Sequence, residues 1–155
     1  MLPPGGSNRL PRLKIRPARM DVRAAQGGLQ MVKSVLVVDD EPNIMLSLEY
    51  LMKRAGYDVR LARDGDEALE AVMASPPDLI LLDINIPKRN GYEVCQAIRS
   101  NPDLKNVRIL MVTAKGREVE IEKGLALGAD GYATKPFSTK DLAERVAKLL
   151  NGADT

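Results

Sequence analysis

The sequence predicts an α/β fold: one five-stranded parallel sheet, doubly wound by helices on both faces. Three observations lead there. Val35–Val38 and Leu79–Asp83 are strand-length runs that are apolar almost throughout instead of alternating, as expected of strands covered on both faces. Segments with helical periodicity alternate regularly with five such runs. The 155 residues are 45% hydrophobic but only 3% aromatic, with no Trp and one Phe. The core must therefore be built from Val, Ile, Leu, Ala and Met.

Each element follows in order. After the strand Val35–Val38, Pro42 suits a first helical turn. Ile44, Leu48 and Leu51, with Met45 and Met52, supply that helix's buried stripe, and Gly56 stops it. Tyr57–Ala62 reads as strand two. Asp64-Gly65 reads as a turn, and Ala68, Leu69, Val72 and Met73 as the apolar face of helix two. Pro76-Pro77 breaks the chain before strand three, Leu79–Asp83.

Pro87 and Gly91 bracket a turn before helix three, which runs to about Ser100. Cys95, the only cysteine, lies beside the Val94/Ile98 stripe and reads as a small buried hydrophobe. Val107–Val112 is strand four. Val119, Leu125 and Leu127 mark a weaker fourth helix, interrupted by Gly124 and closed by Gly128, and so expected to be loosely held. Tyr132–Thr134 is a short strand five. Ser138, with Asp141 three residues on, caps a final amphipathic helix through Leu142, Val146 and Leu149. Pattern alone leaves the strand order open.

Residues 1–30 read differently. They hold six basic residues and one acid, a net +5 that leaves −3 for the remainder of a chain whose total is +2. Their prolines and glycine pairs predict a disordered tail that cannot bury enough surface to offset its ordering entropy. Met31 reads as the native start. A genuine disordered extension and a basic arm for nucleic acid or anionic lipid are the other readings. Residues 31–151 form the domain and 152–155 a short tail. No apolar run approaches a membrane span. A single cysteine rules out an intrachain disulfide and favours a reducing, cytoplasmic setting. Without histidine, His-ligated metals and His-based triads are excluded.

The chemistry gathers at strand ends. Asp39 and Asp40 follow strand one, Asp83 ends strand three, Thr113 follows strand four, and Lys135-Pro136 follows strand five. In open parallel sheets, ligands bind outside the carboxyl ends of the strands. Three carboxylates converging there repel one another and call for a cation or raised pKa values. A hard ion such as Mg²⁺ takes oxygen ligands. A cation, an ammonium and a hydroxyl around one carboxylate is equipment for placing a phosphoryl group on it. Taken singly, each residue has a plainer reading: a cap, a strand-end hydrogen bond or a solvated charge.

Val-Val-Asp39-Asp40-Glu41, Leu-Leu-Asp83-Ile-Asn85-Ile-Pro87-Lys-Arg-Asn-Gly91, Val-Thr113-Ala114 and Tyr132-Ala-Thr-Lys135-Pro136-Phe137 together resemble the receiver domain of two-component response regulators, of the single-domain, CheY-like kind. The resemblance runs from Met31 to about Asn151. It implies a flavodoxin-like fold in which Asp83 accepts a phosphoryl group from a histidine kinase's phosphohistidine or from a histidine phosphotransfer protein. It also implies Mg²⁺ or Mn²⁺ held by Asp40, Asp83 and the backbone carbonyl of Asn85, with Asp39 acting mostly through water.

Lys135 would contact the phosphoryl group, and its bond to Pro136 would be cis. Thr113 would swing in, and Tyr132 would then rotate inward, reshaping a protein-binding surface on helix four, strand five and helix five. Asn85 and Lys115 occupy the positions that tune phosphoryl lifetime. The reading is a stand-alone signalling switch that modifies only itself, facing a downstream protein and no nucleic acid. A relay intermediate is the alternative. An aspartyl-nucleophile phosphatase lacks room for its cap, and an FMN carrier lacks its phosphate loop.

Overall fold

The structure, a computed structural model, describes residues 19–20, 31–114 and 118–152. Its five-stranded sheet comprises β1 (Ser34–Val38), β2 (Asp58–Ala62), β3 (Leu79–Asp83), β4 (Arg108–Ala114) and β5 (Gly131–Lys135). The strands run in the order β2-β1-β3-β4-β5, every neighbour parallel. The order reverses between β1 and β3, which places the ends of those strands at a topological switch point. Of the predicted tail, the described residues hold only Arg19–Met20, which pair antiparallel with Met31–Val32.

Alternation along the strands sorts the core into two layers. Val35 and Val37 of β1, Leu79 and Leu81 of β3 and Leu110 of β4 pack under α1 (Pro42–Arg54) and α5 (Thr139–Leu150). Leu36, Val38, Ile80, Leu82, Ile109 and Met111 face the other way, under α2 (Gly65–Ala74) and α3 (Gly91–Arg99). Every residue of β1 and β3 is buried, whereas the edge strands β2 and β5 are mostly half-buried. This is the double coverage that unalternating apolar runs predict. Cys95 is buried in the second layer, as expected.

Three local readings are corrected. Asp64-Gly65 is not a free turn. The Asp64 carboxylate accepts from the Glu67 N–H at 2.8 Å as an N-cap, and Gly65 is the first residue of α2. Met73 lies outside the core, 59% exposed, because Ala68 and Val72, one turn apart, already fill the contact with the sheet. Tyr57 precedes its strand: its N–H is bonded to the Met52 carbonyl at the end of α1.

The fourth helix, α4 (Glu118–Ala126), packs through the glycine that interrupts its pattern. A Cβ on Gly124 would stand 3.3 Å from Met111 Cγ, so the missing side chain lets the helix approach β4 closely.

Two glycines hold the loop after β3 in place. The Gly65 N–H donates to the Pro87 carbonyl at 3.1 Å, and a Cβ there would meet the Arg89 carbonyl oxygen at 2.1 Å. The Gly91 N–H donates to the Ile84 carbonyl at 2.8 Å, and its Cβ would stand 2.6 Å from the Asp83 carbonyl oxygen. Both obstacles are backbone atoms and cannot rotate away. Gly91→Ala is accordingly expected to destabilise the fold by about 2 kcal/mol in chemical denaturation. The overlap falls on the Asp83–Ile84 peptide, where β3 ends.

Candidate functional site

The expected residues converge at the carboxyl edge of the sheet. Parallel pairing carries β1, β3, β4 and β5 to one edge, so side chains far apart in sequence meet there. Asp39 and Asp83 are 1% and 6% exposed, and Asp40 is exposed. Each offers a carboxylate oxygen, and these oxygens all lie within 4.8 Å of one another. Lys135 Nζ reaches into the group, 3.1 Å from Asp39 Oδ2, 3.4 Å from Asp83 Oδ2 and 3.6 Å from Glu41 Oε1. The other oxygen of Asp39 accepts from the Glu41 N–H at 2.9 Å, which fixes its carboxylate plane.

The electrostatics follow from burial. Desolvation, followed by repulsion from Asp39, pushes the Asp83 carboxyl up from 3.8 to about 6. Lys135 and the Asn85 backbone N–H act in the opposite sense. Burial also works against the Lys135 ammonium, but the charges and hydrogen bonds of Asp83 and Asp39 outweigh it, and its pKa is raised. Among the described residues, one ammonium therefore leaves the three acids under-neutralised. The donors are hard carboxylate oxygens with one exposed member open to solvent, a set that suits a hydrated divalent cation. An acidic cluster of this composition can hold Mg²⁺.

The remaining residues divide. Thr113, 1% exposed, stands next to Val112, the β4 partner of Asp83. Its hydroxyl donates to Glu120 Oε1 at 2.7 Å. The Lys135–Pro136 peptide is cis, as expected. Tyr132 is half-buried against the second core layer; its backbone carbonyl accepts from Arg145 Nη1 at 2.9 Å, and the Arg145 guanidinium lies 5.4 Å from its ring centre. Asn85 is exposed. Lys115 lies outside the described residues.

Sequence reasoning missed Glu120, Gly65 and the close approach at Gly91. Asn90 also went unread. Its side chain and that of Glu93 form a reciprocal capping box at the start of α3, and the Asn-x-x-Glu spacing could have revealed it.

Comparison with known proteins identifies the family. Residues 35–147 match the response regulator receiver domain family. Over 124 residues the chain is 46% identical to the alkaline phosphatase synthesis transcriptional regulatory protein PhoP of Bacillus subtilis (strain 168), covering 80% of this chain and 51% of that protein. It thus spans about half the length of that relative. Among solved structures it is similar to the chemotaxis response regulator CheY4 of Vibrio cholerae, with 33% identity, a TM-score of 0.72, and 76% and 98% of the two chains covered. It is also similar to the receiver domain of the Francisella response regulator 1452, with 29% identity, a TM-score of 0.72, and coverage of 78% and 98%. The chain belongs to the response regulator receiver domain family. Receiver domains are signalling switches of two-component systems, and this one has the five-stranded parallel, CheY-like fold. Among the described residues, no helix is long and apolar enough to cross a membrane.

Proposed function

We propose that this chain is switched by phosphorylation of Asp83. The supporting observation is the buried Asp83 carboxylate, with Asp39, Asp40 and Lys135 Nζ gathered round it. An Asp83 oxygen attacks the phosphorus of a donor phosphohistidine, on a sensor kinase or a histidine phosphotransfer protein. The P–N bond breaks, its electron pair returns to the imidazole, and an acyl phosphate forms on Asp83. Asp40, Asp83 and the Asn85 carbonyl would hold Mg²⁺ or Mn²⁺, with Asp39 acting through water. The cation supplies charge neutralisation on the transferring oxygens.

Lys135, already 3.4 Å from Asp83 Oδ2, takes up charge on another phosphoryl oxygen. Thr113 and Tyr132 then carry the change to the surface of α4, β5 and α5, where a downstream protein binds. Asn85, with Lys115, sets how long the phosphoryl group survives.

Incubation with acetyl phosphate tests this. With Mg²⁺, the intact mass should rise by one phosphoryl group, and with EDTA it should stay unchanged. Uptake that is indifferent to EDTA, or absent with the metal present, would overturn the proposal.

A further inference from the structure

We infer that Glu120 is a latch: by holding the Thr113 hydroxyl and the first turn of α4 in the resting arrangement, it sets how readily Asp83 is phosphorylated. This rests on the phosphoacceptor reading of Asp83. Among the described residues, three contacts meet at the latch. The Glu120 carboxylate accepts from Thr113 Oγ1 at 2.7 Å, its backbone carbonyl accepts from Tyr92 Oη at 3.2 Å, and one turn on, Gly124 sits against Met111. Glu120 therefore ties β4 and α3 to the same helical turn. The Lys123 ammonium, 4.4 Å from the centre of the Tyr92 ring, holds the outer side of that junction.

A hydroxyl has one proton to donate, and that of Thr113 is committed to a carboxylate in a partly buried, charge-assisted bond. A phosphoryl oxygen arriving on Asp83 competes for the same proton. Thr113 lies beside Val112, the strand partner of Asp83, so on the proposed switching its hydroxyl leaves Glu120 for the phosphoryl oxygen. Phosphorylation then has to break the bond to Glu120, and the first turn of α4 loses a tether as it does so. Whatever that bond contributes to the resting state is subtracted from the driving force for the phosphorylated one. Glu120 is a positioning residue: it acts through Thr113 and touches neither phosphorus nor metal.

The test measures initial rates of phosphoryl uptake from sub-saturating acetyl phosphate with Mg²⁺. In that reaction an Asp83 oxygen bonds to phosphorus as the P–O bond to acetate breaks. Glu120→Ala should be phosphorylated about tenfold faster than wild type, and Glu120→Gln, whose amide oxygen still accepts without a charge, by an intermediate factor of about three. In a Thr113→Ala background, where there is no hydroxyl to hold, both gains should vanish.

A Glu120→Ala rate no higher than wild type overturns the latch, as does a gain that persists undiminished in Thr113→Ala. If Glu120→Ala does not fold, Glu120→Gln decides by the same two comparisons. A wild-type chain that takes up no phosphoryl group overturns the phosphoacceptor reading and the latch with it. Uptake by wild type without acceleration in the variants overturns the latch alone.

Discussion

Asp83→Asn is expected to end phosphoryl uptake and to make the fold more stable in the same step. The amide keeps the shape of the carboxylate but cannot serve as the nucleophile, so intact mass should show no gain with acetyl phosphate and Mg²⁺. The stability change follows from the carboxyl's raised pKa. Between 3.8 and about 6 the native state holds a proton on Asp83 that the unfolded chain has lost. Native stability therefore falls as pH rises through that window, by up to about 3 kcal/mol. Asparagine escapes this penalty. Without divalent metal at pH 7, Asp83→Asn should raise stability by about 2 kcal/mol, or roughly 6 °C in Tm. The gain should shrink towards zero below pH 4, where Asp83 is neutral in both states. Millimolar Mg²⁺ should also narrow the difference by stabilising the wild type. A destabilised Asp83→Asn protein at neutral pH, without metal, would contradict the account of the site.

Lys135→Met should produce the opposite change. It removes the ammonium lying within 3.4 Å of both buried carboxylates and leaves Asp39 and Asp83 facing each other. Breaking a buried ion pair from one side typically costs about 3–5 kcal/mol; because Lys135 is partly exposed, the expected loss is about 3 kcal/mol at pH 7 in EDTA. The raised pKa of Lys135 means that its stabilisation is fully present throughout the neutral range and is lost only as pH rises through the native-state value, above the ordinary 10.5. The deficit should therefore hold steady between pH 7 and 9 and diminish below pH 6 as Asp83 protonates. Mg²⁺ should recover much of it. Adding Asp83→Asn to Lys135→Met should cost less than Lys135→Met alone, with a coupling of about 1–2 kcal/mol in denaturation experiments. Strict additivity would mean that the two side chains do not share a field.

The central strands were legible because burial on both faces leaves an unbroken apolar run. Val35–Val38 and Leu79–Asp83 both carry that mark. Edge strands carry it weakly. The sequence predicts strand five over Tyr132–Thr134, whereas β5 spans Gly131–Lys135 and so includes the lysine of the site. The faces of α1 and α5 were legible, but Met73 failed because Ala68 and Val72 already occupied the contact, and Val119 and Leu125 of α4 are 78% and 43% exposed because that helix buries Gly124 instead. Gly65 reads in sequence as a turn residue, because a glycine needed to let a distant loop approach looks like one needed for a bend.

For the site, Asp39, Asp83, Thr113 and Lys135 could be named beforehand because a strand that ends in a polar residue announces where the chain leaves the core. Their convergence still depended on every strand running parallel. Glu120 offered no such mark. It is one of three acids among Glu118–Glu122, and only the seating of α4 on Met111 and Tyr92 brings its carboxylate, and not a neighbour's, to Thr113.

The sequence by itself determined the layer architecture, the apolar strands and which polar side chains stand at the strand ends, all of which follow from local pattern and residue chemistry. Only the tertiary structure decided the strand order, the two close-approach glycines under the loop after β3, the setting of the Lys135 ammonium among Asp39, Asp40 and Asp83, and the partner of Thr113. Each of these is a distance between residues remote along the chain. Such distances are set by how whole elements pack, which no local run of residues encodes.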